Sequence, residues 1–253
     1  MMKYGYNTSL LFLRNKLQFF TKCIYDYSIC WFMTNYRFYN SEKHLPIGKI
    51  ICLARTYREH AKEMNAGVTE DPLVFLKPES SIIFNKDTII IPKMSSCLHH
   101  EIELGIIIGK KGRHISLEKA MEHVLGYCVA LDITARDIQA IAKKNGWPWG
   151  IAKGFDTFTP ISKVVLKGKD LNAQNLELEL CVNGVVKQKG NTRQMIYTLE
   201  RIISFISDIM TLKPGDLILT GTPEGVGEIK EGDVLEARLG KLCSLMVDVQ
   251  RER

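Results

Sequence analysis

After Ile47 the chain is built from nine short apolar runs separated by turn residues: Ile50–Leu53, Leu73–Leu76, Thr88–Ile91, Glu101–Ile108, Val124–Leu131, Leu176–Val182, Leu217–Thr220, Val234–Leu239 and Leu245–Val249. Runs of this length, rich in β-branched residues and punctuated by Gly, Pro, Asn and Asp, predict strands. Asn183-Gly184 predicts a two-residue hairpin turn. Helical periodicity is confined to Tyr57–Met64, Leu117–His123, Ala135–Lys144 and Leu199–Asp208, the third with Thr134 as its expected cap and Gly146 as its stop. Strands that do not alternate strictly with helices argue against a doubly wound parallel sheet. They predict a single strand-dominated α+β domain of roughly 200 residues.

Composition supports that reading. Of 253 residues, 45% are hydrophobic and 25% charged, enough to bury a core and too apolar for disorder as the main state. No uncharged apolar run approaches the roughly 20 residues that span a bilayer, so no membrane segment is expected. The net charge of +6 is concentrated near the start of the chain. Residues 1–45 hold six Lys or Arg against Asp26 and Glu42, which leaves the rest almost neutral. Without a clustered basic stripe, nucleic acid is not an expected partner.

Residues 1–45 also hold twelve of the 22 aromatic residues. They are read as an N-terminal extension, with an organelle-targeting presequence and a packed addition both open, and residues 46–253 as the folded domain. The seven cysteines are odd in number, contain no C-x-x-C pair and lie mostly in apolar runs. That usage fits free thiols in a reducing compartment, mitochondrial or cytoplasmic, better than a disulfide framework or a zinc site.

The most informative segment is His99-His100-Glu101-Ile102-Glu103-Leu104-Gly105-Ile106-Ile107-Ile108-Gly109. As a strand it places Ile102, Leu104, Ile106 and Ile108 on one side, and Glu101, Glu103 and Gly105 on the other. An isolated E-x-E is ordinarily a solvated strand face. Here the same face carries Gly105, Ile107 and Gly109, which argues for an enclosed surface. Two enclosed carboxylates repel unless one is protonated or a cation sits between them. A third acid, Asp132, ends the apolar run from Val124 just before the expected helix, where a plain turn acceptor is the alternative. Three hard oxygen donors suit Mg²⁺ or Mn²⁺. Zinc is the poorer fit, although His99 and His100 lie nearby.

Other candidates are weaker on spacing alone. His60 and Glu63 stand at i and i+3, so a helix there lets the carboxylate orient the imidazole as a general base; an exposed salt-bridged turn is the plain alternative. Lys153 lies among aromatic and small residues, a setting that can desolvate an amine for stabilising an oxyanion or enolate. Arg136 and Gln139 share a helix face and could grip a carboxylate. The stretch Thr220-Gly-Thr222-Pro-Glu-Gly225-Val-Gly227 permits close backbone approach to an anion. It lacks the G-K-[ST] of a phosphate loop, and neither a G-x-G-x-x-G nor a G-x-S-x-G signature stands out elsewhere.

Taken in order, Ile51–His60, Phe75–Pro78, His99–Gly105, Leu131–Asp137, Trp149–Phe155 and Gly215–Gly227 resemble the fumarylacetoacetate hydrolase family, in its short single-domain branch of acylpyruvate hydrolases and oxaloacetate decarboxylases. The resemblance covers about Gly48 to Val249. It implies a mixed β-sandwich roll with few helices, a homodimer, and Mg²⁺ or Mn²⁺ held by Glu101, Glu103 and Asp132. It implies His60 and Glu63 as the water-activating dyad, Lys153 as stabiliser of developing negative charge, and Arg55, Gln139 and Thr222 as contacts to a small 2-oxo acid. The implied reaction is metal-dependent cleavage of the C3–C4 bond of an acylpyruvate to pyruvate and a carboxylic acid, with decarboxylation of oxaloacetate as a possible companion. The alternatives are an isomerase or tautomerase of a 2-oxo dicarboxylic acid, and a catalytically impaired metal-binding protein. The chain departs from the family where Ala54-Arg55-Thr56-Tyr57 replaces the usual Gly-Arg-Asn-Tyr, and where Gly154 follows Lys153 in place of Ser.

Overall fold

The computed structural model describes residues 34–253 apart from 65, 66 and 68. Its strands run β1 Ile50–Ala54, β2 Leu73–Lys77, β3 Ile82–Phe84, β4 Thr88–Ile91, β5 Leu98–His100, β6 Ile102–Ile108, β7 Val124–Leu131, β8 Thr134–Ala135, β9 Thr159–Ile161, β10 Val165–Leu166, β11 Glu177–Val182, β12 Val185–Asn191, β13 Leu217–Leu219, β14 Gly227–Ile229, β15 Val234–Leu239 and β16 Cys243–Arg251. Helices are short: Arg58–Glu63, Leu117–Ala120, Arg136–Asn145, Gly150–Lys153 and Leu199–Ile209. This is the strand-dominated α+β class that the sequence predicts.

The strands form an eight-stranded sheet of order β2-β1-β13-β6-β7-β9-β3 with β10 against β7, a five-stranded sheet β12-β11-β15-β16-β4, and a three-stranded sheet β14-β5-β8. Strand alternation sorts the core into two clusters. Ile102, Leu104, Ile106 and Ile108 join Ile51, Leu53, Tyr127, Val129 and Ile218 in the larger one. Ile107 joins Ile50, Cys52, Cys128, Ala130, Leu217 and Leu219 in the smaller. Both faces of β6 are therefore covered, and all seven of its residues are buried. Gly105 is demanded by this packing. It pairs with Cys128 in the β6–β7 register, and a Cβ there would stand 2.5 Å from the Cys128 Sγ.

The described compact unit runs from Tyr36 to Arg253. Within it, Tyr36 and Phe38 are buried in the smaller cluster, and the Tyr36 hydroxyl donates to the Gly215 carbonyl. Residues 36–45, assigned to the extension on composition, thus pack as part of this unit. The presequence expectation falls mainly on residues 1–33, outside the described residues. The five described cysteines, Cys52, Cys97, Cys128, Cys181 and Cys243, are free. No helix among the described residues is long and apolar enough to cross a membrane.

Three local expectations are corrected. The expected strand Glu101–Ile108 is broken at its first residue: β5 belongs to the three-stranded sheet, β6 to the eight-stranded one, and Glu101 is the link between them. Thr134 does not cap the following helix. It sits in β8, its hydroxyl donates to the Asp132 carbonyl, and Ala135 takes the cap position without a side-chain bond. The expected helix Leu117–His123 changes to a 3₁₀ turn at Met121–His123. The hairpin is as expected, with Asn183 and Gly184 both at positive φ, as a type I′ turn requires.

Candidate metal and 2-oxo acid site

Three backbone arrangements bring the acids together. Glu101 links β5 to β6; Glu103 follows two residues on; and Asp132 leaves β7, whose Leu131 pairs with Ile102. The Asp132 N–H donates to the Glu101 carbonyl at 2.8 Å, which locks the strand exit against the sheet link. As a result, one carboxylate oxygen from each of Glu101, Glu103 and Asp132 lies within 4.8 Å of the others, and all three residues are buried.

Cations surround this cluster. The Lys153 ammonium donates to Asp132 Oδ2 at 2.5 Å and to Glu101 Oε2 at 2.9 Å. Lys153 closes the short helix Gly150–Lys153, and its side chain is 2% exposed. Arg136 donates to Glu101 Oε1 at 2.5 Å and to Gln139 Oε1 at 2.7 Å, so the carboxylate it grips is the protein's own. Lys77, which the sequence reading did not single out, donates to Asp132 Oδ1 and to the Phe158 carbonyl, both at 2.6 Å, with its side chain fully buried. Lysine at a strand end is ordinarily solvated, and only its place closing an apolar run hinted otherwise.

These contacts divide the acids electrostatically. Burial raises the Glu101 proton affinity, but Lys153 and Arg136 outweigh it and hold this carboxyl below the ordinary range. Burial, then Asp132 and Glu101, push Glu103 well above its ordinary value; its contact with the Gly221 N–H at 2.6 Å offsets this only in part. Burial disfavours the charged form of Lys153, yet Asp132 and Glu101 together raise its proton affinity above the usual lysine value. Three facing carboxylates, one of them driven to keep a proton by its neighbours, form a donor set suited to a hard divalent cation.

Glu101 and Glu103 line a pocket open to solvent, and a carboxylate oxygen of Asp132 lies within 4.8 Å of theirs. Arg55, His60, Gln139 and Thr222 line it together with Glu101, Glu103, Arg136 and Lys153, so the structure gathers nearly all the sequence-predicted residues in one place. His60 lies on the first turns of Arg58–Glu63, and its Nδ1 is 3.0 Å from Glu63 Oε2. The other Glu63 oxygen accepts the Gly225 N–H at 3.1 Å, tying this helix to the 220–227 loop. Arg55 has a left-handed backbone, φ 59, in the turn between β1 and that helix. Thr56, standing where the family usually has Asn, donates its hydroxyl to the Thr220 carbonyl at 2.6 Å. A side chain at Gly221, where φ is +91, would collide with that hydroxyl. The Thr56 hydroxyl therefore bridges the His60 turn to the loop that carries Thr222.

Several contributors escaped the sequence reading. Phe75 and Trp149 meet edge to face at 5.7 Å and wall the pocket, with the Lys153 ammonium 5.2 Å from the Phe75 ring centre. Gln188 is buried in β12. Its carbonyl oxygen accepts the Ile102 N–H and faces His100 Nδ1, while its amide donates to Thr222 Oγ1 and the Pro223 carbonyl. It joins the strand carrying the glutamates to the Thr222 loop across a long sequence separation, which a linear reading does not register.

The family pattern described as fumarylacetoacetate (FAA) hydrolase C-terminal matches residues 49–250. The chain is 50% identical over 203 residues to the protein named oxaloacetate tautomerase FAHD1, mitochondrial, of Arabidopsis thaliana, covering 80% of this chain and 91% of that one. It is 52% identical over 189 residues to the oxaloacetate decarboxylase, mitochondrial, of Dictyostelium discoideum, covering 74% and 87%. Among solved structures it is similar to the fumarylpyruvate hydrolase of Pseudomonas aeruginosa in complex with Mn²⁺ and pyruvate, with a TM-score of 0.84 and 33% identity over 87% of this chain and 97% of that one.

Proposed function

The chain belongs to the fumarylacetoacetate hydrolase family, and on that premise we propose that it is a divalent-metal-dependent hydrolase that cleaves the C3–C4 bond of acylpyruvates, releasing pyruvate and a carboxylic acid. The observation that carries this reading is the convergence of Glu101, Glu103 and Asp132 beside a pocket that Glu101, Glu103 and His60 line. Those three acids would hold Mg²⁺ or Mn²⁺, which would supply Lewis acidity to a bound 2-oxo acid.

The chain's own groups perform the rest. With Glu63 accepting from Nδ1–H, His60 keeps Nε2 free to take a proton from water attacking the C4 carbonyl. The Lys153 ammonium, buried and held charged by Asp132 and Glu101, faces the charge that develops on the departing pyruvate unit. Phe75 and Trp149 narrow the access of bulk water. Gln139 and Thr222 stand where they can orient the oxo acid.

A second reading is tautomerisation or decarboxylation of oxaloacetate, favoured by the names of the Arabidopsis and Dictyostelium relatives. Decarboxylation needs no attacking water, so it draws on the acids and Lys153 more than on His60. Both relatives are named mitochondrial, which supports that compartment for this chain as part of the same proposal. Following the family, the assembly is taken to be a homodimer, which light scattering on the purified protein tests. The deciding experiment for the reaction is pyruvate release from acetylpyruvate, fumarylpyruvate and oxaloacetate with added Mn²⁺, alongside the oxaloacetate keto–enol rate. Metal-dependent acylpyruvate cleavage supports the hydrolase; tautomerisation alone overturns it in favour of the second reading.

A further inference from the structure

Strand β12 leaves Val185, Val186, Lys187 and Lys189 exposed, yet buries Gln188 at 1% exposure. An amide thus stands where an apolar side chain is ordinarily buried, a placement that is unfavourable unless each polar atom finds a partner. The β11–β12 register pairs Leu180 with Gln188 and Cys181 with Val186, so Lys187 is an extra residue at a bulge, a device that re-aims neighbouring side chains.

Backbone partners fix which way the Gln188 amide faces. The Ile102 N–H can only donate and the Pro223 carbonyl can only accept, and they lie 3.0 Å from Oε1 and 2.9 Å from Nε2. The second hydrogen on Nε2 is therefore donated to Thr222 Oγ1, 2.9 Å away. Thr222 accepts in that bond, so its own proton cannot point toward Gln188. Thr222 is 3% exposed and lines the pocket, and among the described residues its hydroxyl has no protein acceptor.

The loop that carries Thr222 also lies close against β12 on both sides of Gln188. A Cβ at Gly190 would stand 2.6 Å from the Pro223 Cβ, and one at Gly225, where φ is +91, would stand 2.4 Å from the Lys187 carbonyl oxygen. Strand and loop are thus held in one register, with the amide between them.

We infer that Gln188 is a positioning residue: by engaging the Thr222 oxygen, it turns the Thr222 proton into the pocket, where it is donated to a carboxylate or carbonyl oxygen of the bound 2-oxo acid. Gln188 itself is not among the residues that line the pocket. This rests on the proposed 2-oxo acid site and adds to it the residue that sets the direction of one of its hydrogen bonds.

The test is calorimetric binding of pyruvate, a product of the proposed reaction, to the Mn²⁺-loaded protein. Thr222→Val and Gln188→Met are each expected to weaken pyruvate binding about tenfold, the scale of one hydrogen bond to a charged oxygen. Combining Gln188→Met with Thr222→Val should bind no more weakly than Thr222→Val alone, whereas combining it with Thr222→Ser, which keeps the hydroxyl, should repeat the tenfold loss. Gln188→Glu serves the same comparison should the methionine variant not fold, since it keeps the shape and the acceptor for the Ile102 N–H while its second oxygen draws the Thr222 proton away from the pocket. A loss at Gln188 of equal size with and without a hydroxyl at position 222 overturns the inference, as does wild-type affinity in Thr222→Val. Binding of Mn²⁺ with no metal-dependent binding of pyruvate by the wild type overturns instead the 2-oxo acid reading on which the inference stands.

Discussion

His60 Nδ1 lies 3.0 Å from Glu63 Oε2, and this contact fixes which imidazole nitrogen is left to act as a base. General-base assistance contributes roughly 10²–10⁴-fold. His60→Ala is therefore expected to lower acylpyruvate cleavage by about that factor and to lower oxaloacetate decarboxylation far less. The two activities are measured on one preparation by pyruvate release, and equal losses would contradict the division of labour.

Lys77 is one of two buried cations paired with Asp132, and Lys153 is the other. Leaving a buried charge wholly unpaired costs about 3–5 kcal/mol, and because Lys153 still holds Asp132 Oδ2 the loss of Lys77 falls at the lower end of that range. Lys77→Met should show a deficit of that order in denaturant unfolding of the chelator-treated protein, and a smaller one with saturating Mn²⁺, which neutralises Asp132 in the amine's place. A deficit that ignores the metal would place Asp132 outside the metal site.

The pairing of Gly105 with Cys128 makes a packing prediction. Gly105→Ala sets a methyl against the Cys128 sulfur and should destabilise by about 1–3 kcal/mol. Adding Cys128→Ala makes room and should recover much of that loss. Urea midpoints of the two single variants and the double variant decide it, and simple additivity would refute the steric account.

The large features of the fold were legible because they rest on local signals. Apolar runs bounded by turn residues mark the strands, and Asn183-Gly184 marks its hairpin because both residues tolerate positive φ. Glu101, Glu103 and Asp132 could be singled out because acids interrupt apolar runs. Their convergence could not be, since it depends on the Asp132 N–H bonding the Glu101 carbonyl and on the chain changing sheets at Glu101. Lys77 and Gln188 stayed hidden for a related reason: each looks like an ordinary polar residue until a distant segment packs against it.

Glu103 supplies a pH prediction. Burial and the neighbouring Asp132 and Glu101 raise its proton affinity, so in the metal-free protein it holds a proton that an incoming cation must displace. Lower pH then disfavours the metal and higher pH favours it, until Glu103 is ionised without help. Calorimetric Mn²⁺ titrations in buffers of different ionisation enthalpy should report proton release on binding, and Glu103→Gln should abolish that release. Binding without release in the wild type would contradict the assignment.

The most direct test of the metal site is an electron paramagnetic resonance titration of free Mn²⁺ into chelator-stripped protein. One bound Mn²⁺ per chain is expected for the wild type, with that site lost in Glu101→Gln and in Asp132→Asn. A wild-type chain that leaves all the Mn²⁺ free, or variants that bind it as the wild type does, would contradict a metal centre built on these acids.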